Sequence, residues 1–167
     1  AVSGSLNAVH AICESAVYYG FLCLLGSEYP GETLPVNAGT FRPLKCITRC
    51  GSVLNAGWPH AVAGGNVETS QRIVDVVFGL LGKILPGRIP AQSQGTMNNI
   101  TMGGSDSDGK SFSAYETLGG GCGATAKQRG ADAVQVHMTN TLNTPVEALE
   151  FGGPVLLREY AIRDGSG

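Results

Sequence analysis

Three separated stretches of this sequence set uncharged amides, a carboxylate and a histidine beside turn residues. Asn66 and Glu68 follow Ala63-Gly64-Gly65. Gln94, Asn98 and Asn99 fall within Gln-Gly-Thr-Met-Asn-Asn, and His137, Asn140 and Asn143 within His-Met-Thr-Asn-Thr-Leu-Asn. An Asn or Gln side chain offers both a donor and an acceptor, so a pocket lined by such groups holds a ring amide through paired hydrogen bonds. His137 and Glu68 are the candidates for proton transfer. Arg42, between Phe41 and Pro43, is a candidate clamp for an anionic group. These residues are expected to converge at the ends of strands and helices, where open α/β folds bind ligands. A structural reading competes at every position: Asn66 as a helix cap, the amides as loop ties, His137 as a core histidine, Arg42 as half of a salt bridge.

Several familiar constellations are absent or misleading. No Ser/His/Asp triad is assignable, and no HExxH spacing occurs. The stretch Gly104-Ser-Asp-Ser-Asp-Gly109-Lys110-Ser111 matches the phosphate-loop pattern. Asp106 and Asp108 place negative charge where phosphates would sit, and no helix is expected after Ser111 to present its N-terminus. The reading is a turn. The run Gly119-Gly120-Gly121-Cys122-Gly123 permits close backbone approach, amides facing an oxyanion, or a plain loop.

The elements that must position these groups follow from periodicity. A helix is expected from about residue 6 to 25, capped by Ser5 or Asn7, with Val9, Ile12, Ala16, Val17, Phe21 and Leu24 inward. A second is expected from about 67 to 85, capped by Asn66 and stopped by Leu85-Pro86-Gly87, with Ile73, Val74, Val77, Leu80, Leu81 and Ile84 recurring at helical spacing. Leu44 to Thr48, Ala133 to Met138 and Val155 to Ile162 read as strands, and residues 98 to 118 as a β-hairpin. Thr144, Pro145 and Glu147 form a capping box for a short helix. Asp164 to Gly167 reads as a linker. The predicted class is mixed α/β (α+β): two longer helices on a mixed sheet, in a single domain over 1–167.

Composition narrows the function. The 167 residues are 43% hydrophobic and 14% charged, with net charge −2 and no basic patch, so a nucleic-acid partner is not expected. No apolar run approaches the ~20 residues needed to span a bilayer, and no membrane partner is expected. The five cysteines, without a CxxC pair, read as small reduced core residues of a cytoplasmic protein. The histidines are scattered, so no metal ligands are assigned in this chain.

Five ordered motifs resemble the hydantoinase B/oxoprolinase family: Asn37-Ala-Gly-Thr-Phe-Arg-Pro43, Ala63 to Ser70, Gln94 to Asn99, Tyr115 to Gly121 and His137 to Glu147. The resemblance covers nearly the whole chain, as an interior-to-late portion of a B subunit. It departs from the family at Gln135, where many members carry His. It implies ATP-dependent opening of a cyclic amide of the hydantoin or 5-oxoproline type. ATP and Mg would sit on a partner A-type subunit that phosphorylates the amide oxygen. The family's metal site would lie outside this portion, and the portion alone would be inactive. The implied partners are the hydantoinase A-type subunit, the remainder of the B subunit and a small cyclic-amide substrate. Two other roles stay open at this point: a subunit of an acetone-type carboxylase, and a non-catalytic assembly domain that binds the A subunit.

Overall fold

A computed structural model describes residues 1–162; the linker expected at 164–167 lies outside them. Two long helices dominate: α1 (His10–Glu28) and, after the short α2 (Ala38–Phe41), α3 (Ser70–Ile84). An antiparallel hairpin of β1 (Asn99–Ser105) and β2 (Ser111–Thr117) follows. A smaller antiparallel ladder of β3 (Gly121–Cys122) and β4 (Ala131–Asp132) comes next, then α4 (Val146–Phe151). The class is the mixed α/β one expected. Its strands form two separate two-stranded antiparallel sheets rather than one continuous sheet, and the helices pack chiefly on each other.

α1 meets α3 through small residues. Its fully buried positions are Cys13, Ala16 and Gly20, while the larger Phe21 and Leu24 pack against the core half-buried. A Cβ on Gly20 would stand 3.0 Å from Val77 Cγ1 and 3.6 Å from the Phe78 ring, so glycine sets the helix separation there. From α3 come Val74, Phe78 and Leu81, which form the buried cluster with Ala16. Leu80 and Ile84, expected inward, are exposed together with Val76. The inward stripe instead carries Gln71 and Asp75 among its apolar residues.

Helix starts differ from expectation. α1 begins after Val9 without a side-chain cap. Ser5 does not cap it, and Asn7 is fully buried: its Oδ1 accepts from Val2 N, and its Nδ2 donates to the carbonyls of Val2, Gly4 and Ala61, each at 3.0 Å. That side chain is committed to joining two segments and has no bond left for a helix end. α3 is entered through a wide π-type turn, Gly65–Thr69, and Asn66 lies inside that turn with no capping bond. Gly64 and Gly65 pack on the N-terminal segment. A Cβ on Gly65 would fall 2.2 Å from Asn7 O and 2.7 Å from Ala8 Cα.

Other corrections share one physical cause, loops held by side-chain bonds in place of ladders. Residues 44–48, 133–138 and 155–162 form no strand; the short β4 lies just before the second of these, at Ala131–Asp132. The 144–147 capping box does not form: Pro145 precedes α4, and Thr144 Oγ1 donates to Glu116 Oε2 at 2.7 Å. Asn37 does cap α2, accepting from Gly39 N at 2.8 Å and Thr40 N at 3.3 Å, while Phe41 stacks on Tyr18 at 4.1 Å. All five cysteines are free, but only Cys13 is fully buried. The 104–111 segment holds the paired end of the β1–β2 hairpin and its turn at 106–110, with Asp106 Oδ1 accepting from Asp108 N and Lys110 N. No helix among the described residues is long and apolar enough to cross a membrane.

Candidate functional site

α3 grips the turn at 136–139 with two buried polar residues one helical turn apart. Gln71 Nε2 donates to Val136 O at 3.3 Å and to Thr139 Oγ1 at 2.6 Å. Asp75 Oδ1 lies 3.0 Å from His137 Nε2; the side chains are 3% and 9% exposed. The same carboxylate accepts from Ser93 N and Ser93 Oγ, both at 3.2 Å, and Gly95 N donates to Ser93 Oγ at 3.0 Å. The Phe78 and Tyr19 rings meet the imidazole edge-on, with centroids 5.4 and 6.0 Å away. His137 itself has φ +54°, which turns its ring from the loop onto the helix.

This geometry assigns the tautomer. An ionised carboxylate only accepts, so Nε2 carries the hydrogen and the neutral ring keeps its lone pair on Nδ1. Among the described residues Nδ1 has no protein partner. His137 borders an open cleft of about 540 Å³ together with Tyr19, Cys23, Cys122, Gln135 and Thr139. Burial holds the Tyr19 phenol well above its usual range; a hydrogen bond to and the charge of Cys23 add to this, and a backbone bond at His137 opposes it. The Cys23 thiol is raised as well, also by burial first. Both groups therefore stay protonated at neutral pH.

The other residues singled out in the sequence fall into three places. Asn66 and Asn140 border a second cleft, of about 360 Å³, with Tyr115, Glu116 and Thr144. Thr139 is common to both clefts. Glu68 borders neither cleft and is engaged, accepting from Thr96 Oγ1 at 2.7 Å. Gln94, Asn98, Asn99 and Asn143 serve the loops. Gln94 joins Thr96 O to Gly121 N, and Asn98, at φ +48°, donates to Leu118 O. Asn99 accepts from the Tyr115 hydroxyl, and Asn143 accepts from Gly119 N and Gln135 Nε2. Arg42 is exposed at the end of α2 and makes no ion pair among the described residues. The glycine run serves close approach: a Cβ on Gly120 would stand 2.3 Å from Gln94 Oε1, and one on Gly123 2.1 Å from Ala91 O.

Asp75, Gln71 and Ser93 escaped the sequence reading. The signal was present in the two α3 polar residues, which share the face of Val74 and Phe78 at helical spacing. Ser93 gave no comparable signal.

The whole chain, residues 1–167, matches the family model described as hydantoinase B/oxoprolinase. The chain belongs to the hydantoinase B/oxoprolinase family. Over 166 residues it is 40% identical to a 5-oxoprolinase of Dictyostelium discoideum, covering 99% of this chain and 12% of that protein. A 5-oxoprolinase of Saccharomyces cerevisiae is 41% identical over 179 residues, covering 99% of this chain and 13% of the yeast protein. The B subunit of a putative D-/L-hydantoinase from a Pseudomonas species is more distant, at 25% identity over 152 residues, covering 90% and 25% respectively. This chain thus spans about an eighth of the 5-oxoprolinases and a quarter of the hydantoinase polypeptide that it resembles. No solved structure matches it.

Proposed function

We propose that this chain is the His137-bearing part of a B-type subunit that opens a cyclic amide after ATP-dependent activation by an A-type partner. Family membership supports the reaction class. The observation that carries the reading is the buried Asp75–His137 pair, which leaves Nδ1 unpartnered at the edge of a cleft of about 540 Å³.

A ring amide resists water because its nitrogen donates into the carbonyl. ATP, held with Mg on the partner, would convert the amide oxygen into a phosphoryl ester and remove that resistance. What this chain supplies is the base. Nδ1 takes a proton from water as its oxygen attacks the ring carbon, and Asp75 holds the imidazole in place and stabilises the imidazolium. The C–N bond then breaks as Nδ1 returns that proton to the departing nitrogen, and the acyl phosphate left behind is hydrolysed by a second water to carboxylate and phosphate. Asn66 and Asn140 bind polar substituents from the adjoining cleft. No group of three or more His, Cys, Asp or Glu is gathered for a metal among the described residues, and no step here is routed through one.

The test is His137→Asn in the full-length subunit, assayed with its A-type partner, MgATP and 5-oxoproline or hydantoin. Asn accepts the positive φ with little strain, so the fold should survive. The expected loss in kcat is roughly 10²–10⁴-fold; the melting temperature falls too, because Asp75 loses a buried partner, so turnover is measured where circular dichroism shows the variant folded. Unaltered turnover with weakened binding of the A-type subunit would instead assign this chain an assembly role.

A further inference from the structure

Thr139 borders both clefts, and its hydroxyl hydrogen is not taken up among the described residues. Gln71 is fully buried, and its Nε2 faces both Val136 O and Thr139 Oγ1. Turning the amide over would set two carbonyl oxygens 3.3 Å apart, so Val136 fixes the nitrogen on that side. Thr139 Oγ1 therefore accepts from Gln71. An amide nitrogen takes no hydrogen bond in return, so the hydroxyl hydrogen must go elsewhere. Among the described residues Thr139 Oγ1 donates to no protein acceptor. Gln71 Oε1 has no partner either, so the amide's bonding is spent wholly on the 136–139 turn.

We propose that the Thr139 hydroxyl donates to the amide oxygen of the ring being opened, and that Gln71 is a positioning residue that fixes the direction of that donation. This rests on the reaction proposed above and adds the group that holds the substrate oxygen. Thr139 and His137 border the same cleft, two residues apart on one turn, so oxygen donor and base are set by the same helix. That oxygen carries the phosphoryl group and departs with it when its bond to carbon breaks, so a donor on it strengthens as charge gathers on the leaving phosphate, which lowers the barrier more than it tightens ground-state binding.

The experiment uses the full-length subunit with its A-type partner, MgATP and 5-oxoproline or hydantoin. Thr139→Val keeps the shape and removes the hydroxyl; kcat should fall about 10²-fold with KM little changed, and Thr139→Ser should restore most of it. Gln71→Met alone should lower kcat. Placed on Thr139→Val it should cost little more, because its effect passes through the hydroxyl. If Thr139→Val does not fold, Thr139→Ala takes its place with the same expectations. Wild-type kcat in a folded Thr139→Val or Thr139→Ala variant, with His137→Asn inactive, overturns this assignment and leaves the proposed reaction standing. Full additivity of Gln71→Met and Thr139→Val overturns the positioning role. A wild-type complex that opens neither ring overturns both proposals.

Discussion

Asp75 accepts three hydrogen bonds from two chain segments distant in sequence. His137 approaches from one side and Ser93, by backbone and hydroxyl, from the other. Asp75→Ala leaves those donors buried without an acceptor and should destabilise the protein by about 2–4 kcal/mol, measured as a lower urea midpoint. Unchanged stability would mean that the loops are held by their own contacts. At this scale the sequence was legible in part. His137 was identifiable as a lone histidine beside amides, but its partner sits 62 residues away on a helix that read as apolar. The amides at 94, 98, 99 and 143 were visible as a cluster by type. Whether an amide faces a pocket or ties a loop is decided by neighbours brought in from elsewhere in the chain, and spacing does not carry that.

Two glycines on or beside α3 make opposite demands. Gly65 lies where the N-terminal segment crosses, and an added methyl would meet Asn7 O and the Ala8 backbone. Backbone cannot swing aside as a side-chain tip can, so Gly65→Ala should cost more than about 2 kcal/mol. Gly79, on the exposed side of α3, has nothing within 4 Å of the same position. Gly79→Ala should therefore stabilise by about 0.5–1 kcal/mol, the difference in helix propensity. Paired thermal melts check both signs at once. α3 and the hairpin were legible because each rests on a local period and a local stop signal; α1 was found as an apolar run but spans His10–Glu28 in place of about 6–25, and α2 lies where a loop was expected. The strands expected at 44–48 and 155–162 were not realised: alternation prepares a segment for a ladder, but a partner strand must be supplied by tertiary structure.

The molecule as a whole is held by one helix pair with a thin apolar core, so the groups buried in it weigh on global stability. The Cys13 thiol is pushed up to about 11 from 9.0, by burial first and then by neighbouring Cys46, and its Sγ bonds Leu54 O at 3.0 Å. The unfolded chain loses this proton near 9.0 while the folded protein keeps it to about 11. Stability from this group is thus complete below pH 9 and declines as pH rises toward 11. Urea midpoints at pH 8, 9.5 and 11 should show that decline, and Cys13→Ala should flatten it; equal slopes in the two proteins would remove Cys13 as the cause. The polar seam of the helix pair also has a consequence in time. A ribosome adding ~5–20 residues per second needs roughly 3–12 s to travel the 62 residues from Asp75 to His137. Once Ile84 has been added, α1 and α3 are both complete, yet the seam between α3 and the 136–139 turn has no imidazole for its carboxylate and no carbonyl for Gln71. Closure of that seam waits on translation, and the histidine that completes the site is also the residue whose arrival completes the seam.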